Sequence, residues 1–111
     1  MRKLWGSGYG GYRNITAWEA KKIMDTEKDY IILDVRAREE FDGGHIPGAI
    51  LIPDGDIQAE AERLLTDKQQ LILVYCRSGR RSKMAAQSLV KLGYTNIHEF
   101  GGILDWPSEV E

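Results

Sequence analysis

Cysteine is nearly absent from this chain. Cys76 stands alone among 111 residues, so no disulfide can close within it, and a lone thiol suits a reducing compartment. Histidine is almost as scarce. His45 and His98 lie far apart, and with one cysteine they do not form the clustered ligand set that zinc needs, so neither a metal nor a cofactor is expected. No run of about 18 apolar residues occurs, which argues against a membrane-spanning helix. A net positive charge is also missing. The formal charge is -2 at pH 7, whereas general binding to nucleic acid or to an anionic membrane calls for a basic face. Met1, Arg2 and Lys3 resemble the charged start of a signal peptide. Leu4 and Trp5 then run directly into Gly6, Ser7 and Gly8, with no apolar segment behind them. A cytoplasmic location is the expectation, with no nucleic-acid and no membrane partner.

The hydrophobic content of 42% and the charged content of 29% are those of a folded, soluble domain. The length suits one domain with a real core and is short for two. Residues 1–13 are rich in glycine and aromatics without any period, and are read as a loosely ordered arm; residues 14–111 are read as the domain.

Alternation of strand and helix patterns marks that domain. Thr16 and Glu19 have the spacing of a capping box and predict a helix through Ala20 to about Met24. The apolar run Tyr30 to Val35 predicts a strand covered on both faces. Arg38 to Phe41 fits one helical turn, stopped by Gly43 and Gly44. Ala49 to Ile52 and Leu71 to Tyr75 read as two more strands. Between them a helix runs from Asp56 to Leu65, with Ile57, Ala61, Leu64 and Leu65 inward. Ser82 to Leu92 reads as a helix ended by Gly93, Asn96 to Phe100 as the last strand, and Gly101-Gly102 as a turn into a short helix that holds Trp106. The expected fold is α/β, with a mainly parallel central sheet and helices on both faces.

The chemistry concentrates in one loop. Cys76 ends a strand, and Arg77, Ser78, Gly79, Arg80, Arg81, Ser82 and Lys83 follow it into a helix. In open α/β sheets that edge is where ligands bind. A loop closing onto a helix start turns backbone N–H groups inward, and the helix adds partial positive charge, so the loop should hold an anion. The same field favours a thiolate and lowers the cysteine pKa from about 8.5. Arg77, Arg80, Arg81 and Lys83 add four cations with no acid among them. Gly79 permits the positive φ of a tight loop, and Arg81 offers a planar fork to an oxyanion. The plain alternative is that a lone cysteine after a buried strand is an inert small apolar residue. So many charges directly behind it argue against that reading.

With these residues in view, the chain resembles the rhodanese family from about Ile15 to Trp106. Leu33-Asp34-Val35-Arg36, Glu40-Phe41 and Gly44-His45-Ile46-Pro47-Gly48-Ala49 look like the family's first signature. Cys76 to Ser82 looks like its active-site loop, and Gly101-Gly102 with Trp106 looks like its closing segment. Leu51 stands where the family often has Asn before Ile-Pro. The resemblance implies a single-domain, rhodanese-like fold and sulfur transfer through a Cys76 persulfide, from a small anionic donor such as thiosulfate to a thiol, a protein or cyanide. Arg77, Ser78, Gly79, Arg80, Arg81 and Ser82 would surround the substrate.

For the other marked residues, Asp34 and Arg36 are expected beside the same edge, as a supporting charge or as a structural ion pair. Ser82 is expected to cap the helix or to hydrogen-bond to the persulfide. His45 is expected to shape a turn, His98 to be an ordinary strand residue, and Trp106 to pack in the core or wall the site.

Two rival readings exist. Phosphatases and arsenate reductases use a Cys-x5-Arg loop, whereas here Arg81 is five positions after Cys76 and Ser82 is six after, a loop one residue tighter than a tetrahedral phosphate needs. A non-enzymatic binding or regulatory module is the second rival, and the intact cysteine speaks against it.

Overall fold

The computed structural model describes residues 11–111. Five strands form one parallel sheet in the order β1-β5-β4-β2-β3: β1 (Tyr12–Asn14), β2 (Tyr30–Asp34), β3 (Ile50–Leu51), β4 (Leu71–Cys76) and β5 (Ile97–Gly102). The connecting helices are α1 (Ala17–Thr26), α2 (Arg38–Asp42), α3 (Ile57–Leu64) and α4 (Arg80–Lys91). Because side chains alternate along a strand, each central strand feeds two cores. Ile72, Val74 and Cys76 of β4 pack on the α3/α4 face with Ala61, Ala85 and Leu89. Leu73 and Tyr75 pack on the opposite face with Ala17, Ala20 and Phe100. Among the described residues no helix is long and apolar enough to cross a membrane.

The Thr16 capping box forms as its spacing predicts, with Thr16 Oγ accepting from Glu19 N and Glu19 accepting from Thr16 N. Gly93 follows α4 with φ +100°, the left-handed stop expected there.

Four expectations change. Of the supposed arm, Tyr12 and Arg13 belong to β1, which pairs with β5, and Tyr12 packs against the core; residues 1–10 lie outside the described part. Leu64 points outward at 45% exposure, while Ile57, Ala61 and Leu65, spaced by four, keep the inner face. The last strand runs two residues further, to Gly102, and Trp106 sits just past a single 3-10 turn, Ile103–Asp105, rather than within a helix. Helix α4 begins at Arg80, two residues before the expected start at Ser82.

The extension of β5 matters for the site. Val74 pairs with Glu99, yet Cys76 pairs with Gly102, so β5 carries one extra residue there. Gly101, at φ +87°, supplies the conformation that the bulge demands. The bulge turns the backbone of β5 toward the loop after Cys76.

Candidate active site

Cys76 sits on the α3/α4 face of the sheet and only 2% of it is exposed. Its carbon framework is therefore part of the core, as the plain reading of a buried cysteine expects. Its sulfur is not in an apolar setting. Gly79 N–H donates to Sγ at 3.0 Å, and Sγ lies 3.4 Å from Ser82 Oγ. Burial pushes the thiol pKa up, but the Ser82 hydroxyl and the N–H groups of Ser82, Gly79 and Ser78 outweigh it, and the net shift is downward. The start of α4 lies directly beyond, adding its partial positive charge.

The loop reaches this shape through two glycines. Gly79 takes φ +113° at the N-cap of α4, a left-handed conformation that L side chains rarely adopt. The N-cap role expected of Ser82 thus falls to Gly79. Ser82 is buried within the first turn of α4, its Oγ 3.0 Å from Gly79 O. Gly102 acts through space alone. A Cβ built there would lie 1.8 Å from Arg77 O and 2.5 Å from Ser78 N, so β5 backs directly onto the loop backbone. Gly102→Ala must push the Arg77–Ser78 peptide away and with it the Ser78 N–H that favours the thiolate. Overpacking of this kind costs about 1–3 kcal/mol. The expected result is a lower melting temperature together with slower alkylation of Cys76 at neutral pH, both measurable on one preparation.

The four loop cations divide. Arg77 and Arg80 are exposed. Arg81 is not a free fork: its Nη1 and Nη2 donate to the two carboxylate oxygens of Glu40 at 2.7 and 2.9 Å. The Arg81 hydrogen bond is the main reason that the Glu40 carboxyl is drawn down to about 2. Lys83 Nζ lies 3.7 Å from Glu99 Oε1. The stretch has no acid of its own, but the fold brings Glu40 from α2 and Glu99 from β5 to it. Both acids are distant in sequence, and nothing within the loop itself points to them. Among the described residues no group of acidic, histidine and cysteine side chains could hold a metal ion.

Asp34 and Arg36 form a buried pair next door rather than part of the loop. Arg36 Nη2 and Nε donate to Asp34 at 2.7 to 3.1 Å, Tyr75 Oη donates to Asp34 Oδ2 at 2.6 Å, and Arg36 Nη2 also reaches Gly44 O. Of the two expected roles, the geometry is that of the structural ion pair. It ties the end of β2 to β4 and to the turn at Gly44. His45 is fixed in that turn, stacked on Phe41 at 3.8 Å with Nδ1 2.9 Å from Phe41 O. His98 is a buried residue of β5, and Trp106 packs on Phe100 at 5.9 Å, so both lie in the framework. A cleft of about 530 Å³ opens beside the loop, lined by Ser78, Lys83, Trp18, Phe100, Gly101 and Asp105 among others.

Comparison with known proteins agrees with this picture. The model of the rhodanese-like domain matches residues 16–109. Thiosulfate sulfurtransferase PspE of Escherichia coli is 36% identical over 73 residues, which cover 66% of this chain and 70% of that protein. The putative sulfur carrier protein YrkF of Bacillus subtilis is 38% identical over 92 residues, 82% of this chain but only 49% of its own length, so the present chain spans about half of it. A solved E. coli rhodanese with anions superposes with a TM-score of 0.69 at 32% identity, covering 74% of this chain and 96% of that one. The solution structure of a rhodanese-like domain from Anabaena gives a TM-score of 0.82 at 29% identity, over 88% and 77% of the two chains. With its parallel α/β sheet, its cysteine loop at the head of α4 and its relatives named as sulfurtransferases, the chain belongs to the rhodanese family.

Proposed function

We propose that this domain transfers a sulfane sulfur through a persulfide on Cys76. The thiolate attacks the outer sulfur of an anionic donor such as thiosulfate. A Cys76 S–S bond forms as the donor S–S bond breaks, and sulfite leaves with the electron pair. A nucleophilic acceptor (cyanide in an assay, a small thiol or a protein thiol in the cell) then attacks the terminal sulfur, and Cys76 departs as thiolate. This is covalent catalysis in two easier steps. Arg77 and Arg80, exposed at the rim, attract the donor, while the N–H groups of Ser78, Gly79 and Ser82 hold the charge that develops on sulfur. The cleft beside Ser78 gives an acceptor a place to approach.

The observation that carries this reading is the Gly79 N–H pointed at Cys76 Sγ at the start of α4. A phosphatase loop needs its arginine free to grip phosphate, and here Arg81 is held in a two-point pair by the Glu40 carboxylate. Together with the short Cys76–Arg81 spacing, this pairing favours sulfur over phosphate chemistry. The test is thiocyanate formation from thiosulfate and cyanide, run beside hydrolysis of a generic aryl phosphate. Thiocyanate without phosphate release supports the proposal; the opposite pattern overturns it.

Glu40→Gln probes the loop anchor in the same assay. The pair is about one-third exposed on each side, so its worth to stability is small, ~0–1 kcal/mol. Arg81 nevertheless loses its charged partner at the start of α4. Sulfur transfer is expected to fall roughly tenfold, about 1.4 kcal/mol in the barrier, with the melting temperature almost unchanged.

A further inference from the structure

Asp34 and Glu99 are both carboxylates with no exposed surface. Asp34 has the bidentate guanidinium of Arg36. Glu99 is held differently. Asn14 Nδ2 donates to its Oε1 at 2.5 Å, Gly101 N–H donates to Oε2 at 2.8 Å, and Ser82 Oγ lies 2.5 Å from Oε2. Lys83 Nζ stands 3.7 Å from Oε1 and is half exposed. Glu99 shares the sheet face of Ile97, beneath the first turn of α4, and the bulge at Gly101 lets it reach Ser82.

Ser82 has one hydroxyl hydrogen and four acceptors in reach: Glu99 Oε2 at 2.5 Å, Gly79 O at 3.0 Å, Gly101 O at 3.2 Å and Cys76 Sγ at 3.4 Å. The shortest contact, to a charged acceptor, takes it. Ser82 then presents a lone pair to the sulfur, and the Cys76 S–H donates to that lone pair. A thiolate or a persulfide anion needs the opposite setting, with the Ser82 hydrogen turned to sulfur.

We propose that Glu99 is a positioning residue that sets the reactivity of Cys76 through Ser82, by competing with the sulfur for the one Ser82 hydrogen. In the resting setting Ser82 donates to Glu99 and the sulfur keeps its proton. In the working setting the S–H proton leaves to solvent, the Ser82 hydrogen swings to sulfur, and Glu99 retains Asn14, Gly101 and Lys83. Two anions then lie on either side of one hydroxyl. Among the described residues, charged groups facing them include Lys83 from α4 on the Glu99 side and Arg81, paired with Glu40, on the Cys76 side. Asn14 of β1 and the Gly101 peptide are neutral. Once the persulfide is loaded, Cys76 Sγ is bonded to carbon and sulfur and has no proton to offer Ser82, so loading itself favours the second setting.

This inference rests on the sulfur-transfer reading only in taking Cys76 as the working nucleophile. Alkylation follows the thiol whether or not sulfur is transferred, so the two ideas fail separately. The experiment is the rate of iodoacetamide alkylation of Cys76 against pH on the full chain, for the native protein, Glu99→Gln, Ser82→Ala, the double variant and Asn14→Ala. Glu99→Gln removes a negative charge and releases the Ser82 hydrogen, so the midpoint moves to lower pH. Below the native midpoint alkylation becomes about tenfold faster, the equivalent of one pK unit. In the Ser82→Ala background the same substitution has at most a third of that effect. Asn14→Ala, in an exposed position of the edge strand, strips one donor from Glu99 and strengthens its hold on Ser82, so the midpoint moves the other way. A Glu99→Gln shift that is absent, upward, or equal with and without Ser82 overturns the proposal. Should Glu99→Gln fail to fold, Asn14→Ala decides alone: an upward midpoint supports the proposal, and an unmoved or lowered one overturns it.

Discussion

Cys76→Ser is expected to bring sulfur transfer down to the uncatalysed background while leaving the fold intact. The two consequences come from the two halves of this residue's environment. Its carbon framework is packed in the core with Val74, Ala85 and Ala86, and serine fills nearly the same volume. The new hydroxyl meets Gly79 N–H and Ser82 Oγ, so it is not left without hydrogen-bond partners. The chemistry does not survive the change. The loop favours an anion at this atom, and a thiol is close enough to ionising at neutral pH for that help to suffice. An alcohol is not, and no histidine touches Cys76 to act as its base; His45 stacks on Phe41 and His98 lies on the other face of β5. Thiocyanate production, with the melting curve as control, reads both parts. Full-rate turnover by Cys76→Ser contradicts the assignment of the nucleophile.

Asp34→Ala is expected to have the largest effect on stability. Asp34 accepts from the N–H, Nε and Nη2 of Arg36 and from Tyr75 Oη, and neither charged partner is more than 5% exposed. Deleting one member of a buried pair leaves the other charged and desolvated, at a cost of about 3–5 kcal/mol. Tyr75 Oη, which also accepts from Ile46 N–H, loses its acceptor as well. At roughly 4 °C per kcal/mol for a chain of this size, the melting temperature should drop by more than about 10 °C. Arg36→Met on the same background removes the stranded charge and should return part of the loss. Thermal unfolding of the single and double variants measures both. A fall of only a degree or two for Asp34→Ala would mean that the pair contributes little to the fold.

The sequence carries much of this architecture in local patterns. The capping box at Thr16 and Glu19, the apolar runs of β2 and β4, and the Gly93 stop each depend on a few neighbouring residues, and each forms where its spacing places it. The loop after Cys76 is legible for the same reason: its glycine, its cations and its position between strand and helix are all within eight residues. What escapes is long-range. Strand β1 is three residues long, too short to show a period, and exists because β5 offers it an edge. The partners of Arg81 and Ser82 lie 41 and 17 positions away, so four unopposed cations in sequence become two exposed arginines, one buttressed arginine and one lysine near a buried acid. Glu99 lies two residues after Ile97, on the same covered face of β5, where a polar residue breaks the apolar alternation. A glutamate on the covered face of a strand beside a Gly-Gly pair was the available signal. Gly102 likewise reads as a turn, whereas its need for glycine comes from Arg77 O lying where a side chain would start.

The central claim is that this loop holds one sulfur atom and passes on a second. It is tested most directly by intact-mass analysis after incubation with thiosulfate and removal of the excess. The expected result is a single added sulfur, located on the peptide that contains Cys76, lost on brief exposure to cyanide and absent from Cys76→Ser. A protein whose mass never changes with thiosulfate or any other sulfane donor, although its thiol alkylates freely, contradicts the account.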